Sequence, residues 1–219
     1  TPELIENKVI LQRLKRRCKA IIIRQNEGYD FGSWMTGLRF YESILKKYQQ
    51  IILTNDSLWG PVRPLKSLFE RIEACEADVI GLTDDWMYDY HLQSSFLVFR
   101  ENALNSKVFQ RFWQSLQVWP TKRDLVKACE VGLSLRLLQD GLSLKSLYLQ
   151  NNNGNGLHFY WKSLIEEQDF PFLKVSLLRD NPTLQATDDW HKIVAAGNKN
   201  LAKNIQMQIQ KYKESKDGL

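Results

Sequence analysis

Two short apolar runs, Ala20-Ile-Ile-Ile23 and Gln50-Ile-Ile-Leu-Thr54, each stop abruptly at a polar cluster, and no other feature of the chain limits its fold as strongly. Each run is too short for a helix and rich in β-branched residues, so each predicts a strand. The first opens into Arg24-Gln-Asn-Glu-Gly-Tyr-Asp-Phe-Gly-Ser-Trp34, where two glycines permit a close-packed loop. The second opens into Asn55-Asp-Ser57. Between them, Trp34, Leu38, Tyr41, Leu45 and Tyr48 recur at helical spacing. Strand, helix and strand in this order predict a parallel α/β arrangement, in which ligands bind outside the carboxyl ends of the strands. The two polar clusters are therefore expected to share one pocket.

The alternation continues on both sides. Leu4, Ile5, Val9, Leu11 and Leu14 predict a helix ahead of Ala20, residues 64–74 a helix carrying Leu65, Leu68 and Ile72, and residues 77–82 a strand. From Leu92 the order changes: residues 93–100 predict a strand followed by a helix with Val108, Phe112 and Leu116, which admits a mixed sheet. Thr121 and Asp124 form a capping box for a helix that reaches Gln139 and ends near Gly141. Residues 151–156 are a turn-rich loop, and helices are expected over 158–168, 188–196 and 200–212. The expected architecture is one α/β domain over residues 1–219, a mixed but mostly parallel sheet with helices on both faces, with 199–219 as a basic C-terminal helix or tail.

A hydrophobic content of 43% over 219 residues suits a globular core. The net charge of +5 favours an anionic ligand or surface without demanding nucleic acid, and no recurrent basic and aromatic module is present. Cys18, Cys75 and Cys129 are too few and too widely spaced for a disulfide framework or a metal-ligand pattern. No apolar segment approaches the roughly 20 residues that cross a bilayer, and the N-terminus has no signal-peptide core. A cytoplasmic protein is expected.

The wording of these motifs resembles a known family. In inverting glycosyltransferases of the GT-A fold, related to family 2, a loop with Asn and Gly follows one strand, and the next strand ends in Asn-x-Asp or Asp-x-Asp. Residues 26–34 and 54–57 occupy those places, and Asn55-Asp-Ser-Leu-Trp-Gly-Pro61, Gly81-Leu-Thr-Asp84, residues 91–99, Glu130-Val-Gly-Leu-Ser134 and Pro171-Phe-Leu-Lys174 are similar to the rhamnan synthesis F family. The resemblance runs from about Arg24 to Pro182. It implies a GT-A-like, Rossmann-like sheet that here lacks the usual first strand, because a helix precedes the Ala20 run where a nucleotide-gripping strand would stand.

Particular residues follow from that resemblance. Asp56 is expected to bind a divalent ion, Mg²⁺ or Mn²⁺, since a hard cation takes oxygen ligands and completes its shell with water and substrate phosphates. Asn26, Gly28, Asp30, Asn55 and Ser57 are expected at the nucleotide-sugar donor, with Lys174 and Arg179 neutralising its diphosphate. Glu130 is the expected base for the acceptor hydroxyl, in a helix-like segment that has Val131 where the family pattern has a second acid. Asp84, Asp85, Trp86, His91 and Gln93 are expected around the sugars. Every one of these residues also fits a structural role: Asn-Asp-Ser turns a chain, and the aromatic residues of the first loop fill cores.

The resemblance implies transfer of a sugar, L-rhamnose from a dTDP-activated donor, onto a cell-surface polysaccharide. A lipid-linked acceptor would place the protein at the inner face of the membrane as a peripheral enzyme. The alternative is a glycan-binding or scaffold domain that kept the fold and lost donor binding, as the missing strand suggests.

Overall fold

The computed structural model describes residues 7–117, 119, 121–148 and 154–217. In chain order these form helices α1 (Lys8–Lys15), α2 (Tyr29–Phe40) and α3 (Glu42–Leu45), strands β1 (Gln50–Thr54) and β2 (Leu58–Trp59), and helix α4 (Lys66–Ala74). Strands β3 (Val79–Gly81), β4 (Asp84–Asp85), β5 (His91–Leu92) and β6 (Phe96–Arg100) follow, then helices α5 (Glu101–Asn105), α6 (Lys107–Gln114) and α7 (Lys122–Leu125). A π-helical segment, Val126–Val131, runs into α8 (Gly132–Gln139) and β7 (Leu144–Ser146). The chain continues through α9 (Gly156–Phe159), α10 (Trp161–Glu167), β8 (Leu173–Lys174), α11 (Val175–Arg179), α12 (Trp190–Gly197) and α13 (Lys199–Asp217).

The main sheet has the order β1-β6-β3-β7. β6 is antiparallel to both β1 and β3, and only the β3–β7 pair is parallel. Three strands thus point one way, as expected, but the expectation of a mostly parallel sheet is corrected in its pairings, because β6 enters between the parallel strands. β6 reads Phe-Leu-Val-Phe ahead of Arg100, an apolar run without alternation, because these four residues are buried on both faces. Its alternate residues enter different cores. Phe96 and Val98 join Leu68, Ile72, Leu164 and Ile193 on one face, while Leu97 and Phe99 join Phe31, Trp34, Phe112 and Leu137 on the other. Helices therefore cover both faces, as the alternation predicts.

The Ala20–Ile23 run is a second correction. Residues 18–27 adopt no strand or helix, and Ile22 and Ile23 are 40% and 41% exposed. A strand requires a partner for its backbone groups, and β1, the nearest end of the sheet in the strand order, pairs only with β6 among the described residues. Arg24 organises the loop instead, donating to the carbonyls of Gln25 and Tyr29 and to Ser33 Oγ. The first helix starts at Lys8, inside the expected span, and residues 151–153 of the expected loop lie outside the described residues.

The loop turns into α2 at Gly28, whose φ of 70° is left-handed. Only glycine holds that conformation without strain. Phe31, Trp34 and Leu38 then fall on one helical face, and Phe31 stacks on Trp113 of α6 at 5.7 Å. Gly28→Ala is expected to lower stability by about 1–2 kcal/mol, the cost of a left-handed residue with a β-carbon. An unchanged urea midpoint would show that this turn rearranges freely.

The antiparallel insertion of β6 builds the site. Register pairs Thr54 with Phe96 and Gly81 with Leu97. The segment leaving β1, Asn55–Ser57, therefore lies beside the segment entering β6, His91–Ser95, and beside the exit from β3.

Candidate functional site

A continuous line of hydrogen bonds joins the polar clusters that end the first loop, β1 and the Pro171–Lys174 segment. Asn55 Nδ2 donates to Asp30 Oδ2 at 2.8 Å, so the loop and the β1 terminus do meet. Asn55 Oδ1 accepts from the Ser57 amide at 3.1 Å and the Ser57 hydroxyl at 2.6 Å. Lys174 Nζ reaches Ser57 Oγ at 3.0 Å. The Lys174 backbone is fixed at the same place by the short β2–β8 ladder, which pairs Leu58 with Lys174, and by the Val175 amide donating to the Ser57 carbonyl at 2.9 Å. Trp34 completes the corner, its indole Nε1 donating to the Thr54 carbonyl at 3.1 Å.

Glu130 enters from the other side. Its Oε2 accepts the Ser94 amide at 3.3 Å, and the Ser94 carbonyl lies 3.5 Å from Asn55 Nδ2. One backbone unit thus touches both the carboxylate and the β1 cluster. Glu130 sits in the π-helical segment between α7 and α8. Such segments widen a helical turn by one residue and occur often at functional sites.

Burial raises the Glu130 pKa, opposed by the nearby His91, by the Ser94 hydrogen bonds and by Lys174. Lys174 shows the reverse: burial lowers its pKa, and Glu130 and Asp30 oppose that shift. The Asp30 pKa is raised by burial and by the neighbouring Asp56, against the Asn55 hydrogen bond and the charges of Lys122 and Lys174. The Cys129 thiol, beside Glu130, is pushed up to about 12 by burial and that carboxylate, which leaves it unreactive at neutral pH. The site therefore combines a carboxyl group whose pKa is raised with an amine whose pKa is lowered, both chiefly by withdrawal from water.

Asp56 is exposed and makes no hydrogen bond among the described residues. Arg179 lies near enough for Asp56 to raise its pKa, although Asp180 is its first partner and the Tyr212 ring stands 5.1 Å from its guanidinium. Among the described residues no three His, Cys, Asp or Glu side chains converge as a metal cage. A hard divalent ion bound through one or two carboxylates and substrate phosphates does not need one. The open carboxylate of Asp56, with Asn55 and Ser57 alongside, fits that mode. Lys122 is an addition that sequence reasoning missed: it faces Asp30 and Lys174 electrostatically. Ser94 was missed too, since a backbone amide leaves no signal in a sequence.

The residues expected around sugars separate by exposure. Trp86 is 48% exposed and packs against Tyr90 at 5.2 Å. Asp84, Asp85 and His91 are buried. Asp84 Oδ2 accepts from Ser146 Oγ; Asp85 accepts from the amides of Met87 and Gly154 and from Gln93 Nε2. His91 Nδ1 donates to the Asp89 carbonyl at 2.9 Å, leaving its other nitrogen uncommitted in the hydrogen bonds of the described residues. Gln93 Oε1 accepts from Thr83 Oγ1 at 2.6 Å, so both ends of this side chain are bound within the protein. Gln93→Ala is accordingly expected to cost about 1–3 kcal/mol by stranding Thr83 and Asp85. A urea midpoint within error of the parent would show that Gln93 is free to serve a ligand.

Asn26 lies apart from this line, in a cavity of ≈130 Å³ with Arg24, Ser33 and Thr36, and Gly28 acts through the turn into α2. The larger depressions are elsewhere. Two of ≈510 and ≈490 Å³ lie by Arg71 and Lys145 and by Trp190 and Gln206, one of ≈420 Å³ runs along β1 past Leu38, Tyr41 and Ile51, and another of ≈400 Å³ lies between α2 and α6. None of these is lined by Asp30, Asn55, Ser57, Lys174 or Glu130, and the chemistry points to the polar corner where those residues converge.

The motif order agrees with one family. The model of Rhamnan synthesis protein F matches residues 5–214. The chain belongs to that family. It is 28% identical over 153 residues to an uncharacterized protein, y4gN, of Sinorhizobium fredii, covering 66% of this chain and 40% of the relative. It is 26% identical over 205 residues to the virulence protein VirA of Vibrio anguillarum, covering 78% of this chain and 66% of the relative. The chain thus spans less than half of the first relative and about two thirds of the second. No solved structure matches. The family takes its description from rhamnan synthesis. No helix among the described residues is long and apolar enough to cross a membrane.

Proposed function

We propose that this domain is an inverting GT-A-type glycosyltransferase that moves L-rhamnose from a dTDP-activated donor onto a cell-surface polysaccharide. The observation that supports this best is the single network from Asp30 through Asn55 and Ser57 to Lys174, joined to Glu130 through Ser94. Within that network, burial raises the pKa of the Glu130 carboxylate and lowers that of the Lys174 amine, which suits a base and a cation acting on one substrate.

The roles follow from the chemistry. Glu130 takes the proton of an acceptor hydroxyl as that oxygen bonds to the anomeric carbon; the carbon–phosphate oxygen bond breaks, and its electron pair leaves on the nucleoside diphosphate. Lys174 and Arg179 offset the charge that develops there, and Lys122 adds to the positive potential. When bound at Asp56, a divalent ion supplies further neutralisation of the diphosphate. Asp30, Asn55 and Ser57 orient the donor side, while Trp86 offers an exposed ring face to the acceptor sugar. A lipid-linked acceptor would bring the domain to the inner face of the membrane as a peripheral protein. The virulence name of the Vibrio relative is in keeping with a cell-surface product.

One observation favours a glycan-binding scaffold instead. The outer edge of β1 has no partner strand among the described residues, and the Ala20 run lies unpaired. Calorimetric titration with dTDP, with and without Mn²⁺, separates the two readings. The transferase is expected to bind dTDP in a metal-dependent manner; a scaffold shows no such binding at any metal concentration.

A further inference from the structure

His158 takes no part in the network above. It is 3% exposed, and both ring nitrogens are engaged: Nε2 lies 2.8 Å from Ser176 Oγ and Nδ1 lies 3.1 Å from Thr183 Oγ1. A buried histidine satisfied by two hydroxyls often serves only packing. Here its partner's position gives it more to do. Ser176 belongs to α11, the five-residue helix that begins directly after Lys174 and ends in Arg179.

A helix of five residues has too few internal hydrogen bonds to hold itself in water, so its orientation depends on what surrounds it. Three anchors are visible. Leu177 is buried in the core, the Val175 amide bonds to the Ser57 carbonyl, and His158 holds the Ser176 side chain. The Ser176 carbonyl also ends the helix, accepting the amides of Asp180 and Asn181. Thr183, the second partner of His158, lies in the following turn, which Asn181 and Gln185 close by two 2.9 Å hydrogen bonds. The imidazole therefore ties α11 to the turn behind it from a place inside the core.

Burial and the charge of Lys174 both depress the His158 pKa, which keeps the ring neutral. A neutral imidazole donates through one nitrogen and accepts through the other, and serine and threonine hydroxyls can complement either tautomer.

We propose that His158 is a positioning residue that fixes α11 through Ser176 and so holds Lys174, at the start of that helix, against the donor diphosphate. The inference rests on the reading that a nucleoside diphosphate binds beside Lys174. It requires no contact between His158 and the ligand.

The test is a double-mutant cycle on the affinity for dTDP in the presence of Mn²⁺, with His158→Phe made in the parent and in a Lys174→Met background. His158→Phe keeps the ring volume and removes both hydrogen bonds. It is expected to weaken dTDP binding about 10-fold in the parent and less than about 3-fold once Lys174 is gone, because residues acting through one another are not additive. Ser176→Ala cuts the same bond from the helix side and guards against misfolding of the histidine variant; it is expected to show the same non-additivity. His158→Gln, which can still donate and accept, should recover most of the lost affinity. An equal loss in both backgrounds, or parental affinity in both His158→Phe and Ser176→Ala, overturns the positioning role. Absence of metal-dependent dTDP binding in the parent overturns the donor-site reading, and the inference with it.

Discussion

Glu130→Gln is expected to lower sugar transfer by about 10²–10⁴-fold, the range over which a positioned base contributes, while donor affinity stays within about 3-fold. The amide keeps the side-chain shape, and its oxygen can still accept the Ser94 amide hydrogen bond that Glu130 Oε2 accepts at 3.3 Å. It cannot take a proton from the acceptor. The pH dependence carries the same signature. A base works only when deprotonated, so transfer by the parent is lost as pH falls through the Glu130 pKa, which burial raises above 4.5. On the alkaline side, donor binding weakens as pH rises through the Lys174 pKa, which burial lowers from 10.5. Both limbs of the profile move inward from those reference values, and Glu130→Gln should lose the acid limb with most of the rate. Transfer at parental rate by Glu130→Gln would remove the residue from the chemistry.

The second large effect is expected at Asp56. Asp56→Asn keeps an oxygen at the same place and removes the charge that a divalent ion requires, so the metal-dependent part of dTDP binding should disappear. Because Asp56 is exposed and makes no hydrogen bond among the described residues, the melting temperature should move by little more than that of an ordinary surface substitution, within about 0.5 kcal/mol of stability. The Asp30 carboxyl supplies an internal control. Asp56 is one of the charges that raise its pKa, so Asp30 should titrate at lower pH in Asp56→Asn. Calorimetry follows the first effect, and carboxyl titration by NMR follows the second. Asp56→Asn binding dTDP with Mn²⁺ as tightly as the parent would assign the ion elsewhere.

The polar corner was legible because its residue types sit at the ends of apolar runs, where α/β sheets put their ligands. Asp30 does meet Asn55, although only Asn55 follows a strand, so the rule holds at the end of β1 and the start of α2 brings Asp30 to it. Thr121 was legible as a cap for the same local reason, and its Oγ1 does accept the Asp124 amide at 3.2 Å. What failed depended on partners. Ala20–Ile23 has the composition of a strand, but composition does not supply a neighbouring ladder, and the run lies half exposed without one. β7 shows the opposite case: Leu144-Lys-Ser146 has no apolar period to betray it and becomes a strand because β3 offers a parallel edge. The π-helical turn that carries Glu130 was hidden inside an apolar pattern that reads as one continuous helix from Thr121 to Gln139. His158 had no partner in the linear sequence, since Ser176 and Thr183 reach it only through the packing of α9 against β8 and α11.

A crystal structure of the protein with dTDP and Mn²⁺ tests the central claim most directly. The account predicts the ion on Asp56, the diphosphate within hydrogen-bond reach of Lys174 Nζ, and the Glu130 carboxylate facing the same opening about one sugar ring away. A nucleotide bound along the apolar groove of β1, or one at the polar corner with Glu130 turned away from it, would contradict the mechanism.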